Sequence, residues 1–324
     1  MNTKGKLLEL LETNRGSYFS GEEIAGILSV SRTSVWKAVK SLQKEGYPID
    51  AVTNKGYCLS VETDILSAQG IQKYLHPNIR NIEISLLSTV SSTNTLMKAN
   101  ADANKPEGCL LIANEQTNGK GRYGRNFYSP NDTGIYMSLL LRPKNCTSVQ
   151  AAQITTMAAV AMCESIETVS GERVEIKWVN DILIRGKKVC GILTEGSFDL
   201  ETGALTYAVL GLGINLYEPK EGFPAALTSV AGTIFHAPHS DAKNRLAAEF
   251  LNRFFQYYQS SDPTDYVEEY RKRSIVLGKQ IRLVSAEKTQ TAIVLEIDDR
   301  CRLLVRYEDG TMDYCSSGEI MIQQ

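Results

Sequence analysis

The sequence predicts an α+β multidomain chain with an N-terminal winged helix-turn-helix, a central α/β or α+β domain and a small C-terminal β-barrel. Helical periodicity with cap residues repeats three times before residue 46, and two short β-prone runs follow it. Strands and helices alternate from residue 66 to about 275, and from about 277 only short β-rich runs remain. A length of 324 residues suits two or three domains. The expected boundaries are 1–63, 64–275 and 276–324.

In the first segment, Leu7, Leu8, Leu10 and Leu11 share one face of a helix over 4–13. Ser20-Gly-Glu-Glu23 reads as a helix start with acids in its first turn, opening a short helix over 22–28. Ser29-Val-Ser31 is a tight turn, and Ser31 N-caps a third helix, 32–45, that stops at Gly46. Runs 48–52 and 57–61 flank the turn Thr53-Asn-Lys-Gly56 and read as a hairpin, the wing. At about 100° per residue, Val35, Ala38, Val39 and Leu42 form one stripe of the third helix. Thr33, Lys37, Lys40 and Lys44 lie opposite, with Arg32 and Trp36 flanking, and this face has no acid. In a major groove the three lysines would meet phosphates, while Ser31, Arg32, Thr33 and Ser34 would reach base edges. Lys55 and Tyr57 of the wing would touch the adjacent backbone. The bland alternative is a solvated lysine face used for protein contacts; helix spacing and charge segregation together favour DNA.

Composition narrows the function classes. Hydrophobic residues are 43% and charged residues 22%, an ordinary globular balance. Thirty-five Lys and Arg against 37 Asp and Glu exclude a chain-wide basic field but not a local patch. Residues 1–60 hold 8 Lys/Arg and 6 Asp/Glu; the remainder holds 27 and 31. The most apolar run, Ile154–Cys163, is too short for a membrane span and includes Thr155 and Thr156. The N-terminus leads into an amphipathic pattern and not a secretory segment. Seven dispersed cysteines (58, 109, 146, 163, 190, 301, 315) without a C-x-x-C pair read as reduced thiols in the cytoplasm. With three histidines, and Pro238 inside the one close pair His236–His239, no protein-bound metal is expected.

In the middle segment, strands are expected at 82–87, 109–114, 135–141, 174–177, 188–194 and 207–212, and helices at 67–75, 93–102, 148–168 and 241–260. The tail has runs at 280–284, 291–296, 302–307 and 312–315, with Asp309-Gly310 as a hairpin turn. A barrel of about 48 residues is too small to stand comfortably alone. Four motifs carry chemistry. Gly119-Lys-Gly-Arg-Tyr-Gly-Arg125 matches G-x-G-x-x-G, but Asn126-Phe-Tyr-Ser-Pro130 cannot open the helix that a dinucleotide site requires. What remains is a glycine loop bearing Lys120, Arg122 and Arg125, suited to enclosing phosphate or carboxylate oxygens. Lys177-Trp-Val-Asn-Asp181 is placed at a strand end. Gly186–Glu195 puts two lysines before an apolar strand in which Gly191 leaves room for a ligand. Gly211-Leu-Gly-Ile-Asn215 is a glycine-spaced strand ending in an amide. Singly each could be packing; together they describe one crevice with apolar walls, amides, and cations over one end.

These residues resemble the biotin–protein ligases, specifically the bifunctional kind that also represses the biotin operon. The resemblance spans essentially the whole chain. It rests on Ser91-Ser-Thr-Asn94, Glu115-Gln116, the Gly119–Arg125 loop, Phe127-Tyr-Ser-Pro130, Lys177–Asp181, Lys188-Val-Cys-Gly-Ile-Leu193 and Gly211–Asn215. It implies a central mixed sheet with flanking helices and an SH3-like C-terminal barrel. Ser92, Thr93, Gln116 and the backbone of Gly119, Lys120, Gly121 and Arg122 would meet the ureido ring and tail of biotin. Lys188 would sit at the biotin carboxylate, Arg122 and Arg125 would fold over the adenylate, and Asn180 and Asn215 would lie near the nucleotide. Asn94, Trp178, Gly191, Ile192, Leu193 and Gly213 complete the implied binding set. Many relatives have Arg where this chain has Lys120 and Pro where it has Val179. Contacts to adenine from Arg282 or Glu319 are left open.

The implied reaction is biotin plus ATP giving biotinyl-5′-AMP and pyrophosphate, then acyl transfer to a lysine of a biotin carboxyl carrier protein. Lys188 and Arg122, with Mg²⁺ brought by ATP, would stabilise the developing charge. Asp181 would orient or deprotonate the incoming lysine. No Ser–His or Cys–His nucleophile is needed. Bound adenylate would favour a homodimer that sets two winged helices on a symmetric operator. Two other readings are a biotin sensor without ligase activity, opposed by the full set of cations, and a lipoate ligase, opposed by the loop sequence and the winged helix.

Overall fold

The computed structural model describes residues 2–143, 148–199, 201–284 and 289–322. Cys146 lies outside the described residues. The chain forms two compact units, Met1–Arg80 with Ala237–Glu249, and Asn81–His236 with Phe250–Gln324.

The first unit contains helices α1 (Thr3–Thr13), α2 (Gly21–Leu28) and α3 (Arg32–Lys44), and the antiparallel hairpin β1 (Ile49–Val52) and β2 (Gly56–Leu59). Ser20 and Glu23 form a reciprocal capping box on α2, and Ser31 caps α3 by accepting from the Ser34 amide. The apolar stripe read from α3 is buried: Val35, Ala38, Val39 and Leu42 pack with Leu7, Leu8, Leu11, Ile24, Ile49 and Leu59. The short helix α4 (Ala68–Gln72) and the start of α7 (Ala242–Tyr258) belong to the same unit. Thus 64–80 and 237–249, which the sequence places in the central segment, pack with the winged helix.

A buried ionic cluster ties these pieces. Glu12, 2% exposed, pairs with Arg15 at 2.7 Å and Lys73 at 2.9 Å. Asp241 pairs with the same two cations at 2.8 and 2.7 Å. Asp241 also accepts from the Tyr74 hydroxyl and from Asn244. Burial, with that carboxylate beside the hydroxyl, pushes the Tyr74 phenol up. Two cations against two carboxylates leave no net charge, the condition under which ionised groups tolerate burial.

The second unit is built on a seven-stranded sheet in the order β3-β4-β5-β9-β8-β7-β6. These are β3 (Ile84–Val90), β4 (Leu110–Gln116), β5 (Gly134–Leu141), β6 (Glu175–Lys177), β7 (Asp181–Ile184), β8 (Lys187–Phe198) and β9 (Leu205–Asn215). Only β3 and β4 run parallel, so the sheet is mixed. Helices α5 (Thr93–Asp102) and α6 (Ser148–Ser170) pack on it. The apolar run Ile154–Cys163 lies in α6, where Ala158 to Cys163 are all fully buried. A helix apolar all round belongs in a core. No helix among the described residues is long and apolar enough to cross a membrane.

The tail forms a five-stranded antiparallel sheet, order β13-β12-β11-β10-β14. Its strands are β10 (Gln280–Val284), β11 (Thr289–Ile297), β12 (Leu303–Tyr307), β13 (Met312–Cys315) and β14 (Glu319–Ile322). The sheet docks within its unit: the Trp178 indole donates to the Cys301 carbonyl at 2.9 Å, and Arg271 donates to the Ile297 carbonyl at 2.8 Å. Arg271 lies on α8 (Val267–Arg273). The sequence reading missed β7, β14 and α8. Two of these are four-residue strands, below the length at which alternation declares itself, and α8 buries only Val267 and Tyr270 of seven residues.

Glu12→Ala should destabilise the protein by about 3 kcal/mol, because it strands two buried cations on one carboxylate. Lys4→Ala, which breaks the exposed Lys4–Glu45 pair, should cost under about 1 kcal/mol. Urea unfolding midpoints compare the two; equal midpoints would mean the buried cluster contributes nothing net.

Candidate functional site

A cavity of about 490 Å³ opens over β8 and β9 in the second unit, within the range of small-molecule sites. Its floor is glycine. Gly191 on β8 pairs directly with Gly213 on β9, and Leu193 pairs with Gly211. The Phe127 ring lies across this floor: a Cβ on Gly213 would fall 2.4 Å from it, and one on Gly211 would fall 2.1 Å from Asn94 Oδ1. The missing side chains are therefore space already used by an aromatic wall and an amide.

One end of the cavity is a closed polar network. Ser92 N-caps α5 and is buried. The Thr93 amide and hydroxyl both donate to Gln116 Oε1, at 2.9 and 3.1 Å, and Gln116 Nε2 donates to Ser129 at 2.9 Å. Ser138 donates to Asn94 Oδ1 at 2.6 Å, while Asn94 Nδ2 donates to Glu195 at 2.9 Å. Burial works to raise the Glu195 carboxyl, but hydrogen bonds from Lys98 and Asn94 and the charges of Lys98 and Lys120 outweigh it and hold it below its usual range. Such locked donors and acceptors present a fixed pattern to a flat, polar ring.

The other end is cationic. β7 and β8 slip register between Ile182 and Leu183: Cys190 opposes Ile182, while Lys188 opposes Leu183. The extra residue, Val189, reverses the alternation. Lys188 therefore shares a face with Gly191 and Asp181, and its Nζ sits 2.6 Å from Asp181 Oδ1. Arg122 donates to Asn180 Oδ1 at 3.1 Å and stacks on the Tyr123 ring, while Asn180 Nδ2 donates to the Ile192 carbonyl. Asn215 donates to the Gly232 carbonyl. The glycine loop closes on itself through Gly121 N–H to Arg125 O and Phe127 N–H to Gly119 O. Its tip, Arg122–Gly124, is a single 3-10 turn with no helix after it, as the failed dinucleotide reading expects. Arg125 forms a two-pronged pair with Glu319 of β14 at 2.5 and 2.6 Å.

Of the expected contact residues, Ser92, Thr93, Asn94, Gln116, Lys120 and Gly121 line this cavity, as do Arg122, Arg125, Asn180, Asp181 and Lys188, and Gly191, Ile192, Leu193, Gly213 and Asn215. Two do not. Trp178 is buried with its N–H spent on Cys301, so it holds the C-terminal sheet and not a ligand. Gly119 lies beneath the loop, where a Cβ would meet the Phe127 carbonyl at 2.5 Å. Lys177–Asp181 lies at a strand end as read: Lys177 closes β6, and the turn over 178–180 leads into β7 at Asp181. Three parts of the lining went unread. Phe127 belongs to a quoted motif, and an aromatic beside facing glycines was its available signal. Phe223, Leu227, Val230 and Ala231 arrive because Ala231 bridges to Lys188, a contact no local pattern announces. Glu319 and Met321 come from the unread strand β14; Arg282 does not line the cavity.

In the first unit, Arg32, Thr33, Lys37, Lys40 and Lys44 are exposed along α3, and Lys55 is exposed at the wing over the Tyr18 ring. None of these cations enters a described ion pair. Ser31 caps α3 as read, accepting from the Ser34 amide, and the Ser31 and Ser34 hydroxyls also bond to each other at 2.9 Å. Both are engaged in starting the helix.

Residues 86–215 match the Biotin/lipoate A/B protein ligase family, residues 4–58 an HTH domain, and residues 276–322 the Biotin protein ligase C terminal domain. The chain is similar to the bifunctional ligase/repressor BirA of Bacillus spizizenii, 32% identical over 308 residues and 94% of each chain. It is 26% identical over 321 residues to the bifunctional ligase/repressor BirA of Escherichia coli, covering 98% of this chain and 96% of that one. A solved biotin protein ligase from Aquifex aeolicus, in complex with biotin and ATP, aligns with a TM-score of 0.60 at 22% identity, over 75% of this chain and 99% of that one. At that identity the likeness speaks for the fold.

Gly211→Ala should destabilise by about 1–3 kcal/mol, because its methyl displaces Asn94 from a satisfied network. Glu319→Gln should cost under about 1 kcal/mol, since Arg125 is 63% exposed. Thermal unfolding distinguishes them; equal losses would mean the Asn94 network does not stabilise the sheet.

Proposed function

We infer that this chain, which belongs to the bifunctional biotin–protein ligase/repressor family, divides its work between a ligase cavity and a DNA-binding face. It is an ATP-dependent biotin ligase and a repressor. What carries the ligase reading is the convergence of a locked polar end, a glycine floor and five lining cations, Lys120, Arg122, Arg125, Lys177 and Lys188, in one cavity.

The polar end formed by Ser92, Thr93 and Gln116 suits the ureido ring, with Phe127 and Ile192 along the tail. The carboxylate then reaches Lys188, where it competes with Asp181 for the ammonium. A carboxylate oxygen attacks the α-phosphorus of ATP and pyrophosphate leaves. Like charges meet in that step, and Lys188 and Arg122 stabilise the transition state because they are already oriented by Asp181 and Asn180. Mg²⁺ enters with the ATP phosphates as part of that substrate. In the second step the lysine amine of a biotin carboxyl carrier protein attacks the acyl carbon and AMP leaves. Asp181, released from Lys188, is the base or orienting group for that amine. Arg122 and Arg125 keep the adenylate from water by closing their loop over it.

Residues 1–63 would serve operator binding, 64–275 the chemistry, and 276–324 the cover that brings Glu319 to the cavity. Lys37, Lys40, Lys44 and Lys55 would hold phosphates and Arg32 and Thr33 would reach base edges, with biotinyl-5′-AMP as corepressor favouring a homodimer on a two-fold symmetric site. Buried reduced cysteines suit the cytoplasm.

Biotin-dependent ATP–pyrophosphate exchange without a carrier is the first test. Exchange is expected with biotin and not with lipoate, and Lys188→Ala should lower it about 10²- to 10³-fold. Exchange with neither acid would leave a cavity that only senses biotin. With adenylate already formed, Asp181→Asn should slow transfer to the carrier at least about 10²-fold; transfer at the wild-type rate would remove Asp181 from the second step.

A further inference from the structure

Trp36 stands out on α3. It is 51% exposed and belongs neither to the core of the first unit nor to the residues packed against it. At about 100° per residue it lies on the outward side, one turn from Arg32 and one turn from Lys40. Its neighbours on that side are Thr33, Lys37 and Lys44, all exposed. A helix face that only needs solvation is served by its lysines. A large indole held half in water has unfavourable hydration until something apolar covers it.

The cover must be apolar at its centre and anionic around it, since Arg32 and Lys40 lie one turn either side of the indole, Lys37 and Lys44 are exposed on the same side of α3, and none of them enters a described ion pair. A DNA major groove has this pattern, with phosphates on the rims and thymine methyl groups on the floor. The serines expected to read bases are engaged in the helix cap, Ser34 Oγ lying 2.9 Å from Ser31 Oγ. Base reading thus falls to Arg32 and Thr33, exposed at the start of the helix, and to the indole one turn on. We propose that Trp36 is a sequence-reading residue whose indole packs on the C5-methyl edge of a thymine while the flanking cations hold the phosphates. This rests on the DNA-binding reading above.

The test uses the full chain with biotin and ATP, and duplexes of about 40 base pairs selected by the wild-type protein from a random pool, long enough for two half-sites. Trp36→Ala should weaken binding to the selected duplex about 10- to 100-fold. Its affinity for an unselected duplex, and the slope of affinity against salt, should stay unchanged because no phosphate contact is lost. Trp36→Phe should recover part of the loss. Uracil in place of thymine should weaken the wild type and leave Trp36→Ala unaffected. The only other tryptophan, Trp178, is buried, so quenching of exposed-indole emission on adding duplex should vanish in Trp36→Phe. Biotin-dependent exchange in each variant reports that the chain is folded. Wild-type affinity in Trp36→Ala, or an equal loss on selected and unselected duplexes, would overturn the proposal and hand the indole to a protein partner or to packing. If the wild type enriches no duplex, the DNA-binding reading falls, and the proposal with it.

Discussion

The bulge at Val189 governs the second unit. In an unbroken strand Lys188 would share the face of Cys190, which is fully buried, and its ammonium would point into the core. One inserted residue turns it onto the face of Gly191 and Asp181. The glycine pair Gly191–Gly213 and the aromatic wall of Phe127 then have a charged group to work with. The segment containing Ala231 is tied to the same point, since Lys188 N–H donates to the Val230 carbonyl and Lys188 O accepts from Gly232. The cation, the floor and one wall thus depend on a single register shift.

Charge in the cavity is arranged to be exchanged. Lys188 rests on Asp181 and Arg125 on Glu319, both partly exposed pairs whose partners a substrate anion can replace at little cost. The polar end is the opposite: Thr93, Gln116, Ser138, Asn94 and Glu195 satisfy one another, three of them buried, and resist rearrangement. A locked polar network and exchangeable ion pairs thus occupy opposite ends of one cavity.

The first unit shows the same contrast. Its interior joins Glu12, Arg15, Lys73 and Asp241 into a neutral buried cluster, so α1, α4 and the start of α7 are held by groups that cannot be separated without leaving a charge unpaired. On its outward face the α3 cations enter no ion pair among the described residues, and an indole is half exposed. A surface so one-sided contributes to association and not to folding.

The sequence by itself determined every element whose signal is local. Ser20 and Ser31 cap the helices they were read to begin, and the Val35–Leu42 stripe is core, because caps and 3.6-residue periodicity act within one or two turns. The candidate contact residues were legible because glycines, amides and cations clustered in short motifs. Tertiary structure decided what depends on a second segment. It put Trp178 under the C-terminal sheet, turned Lys188 by a bulge, and brought Ala231 and Glu319 to the cavity. Each is a matter of register or of long-range packing, and strand pairing leaves no mark on the residues of one strand alone.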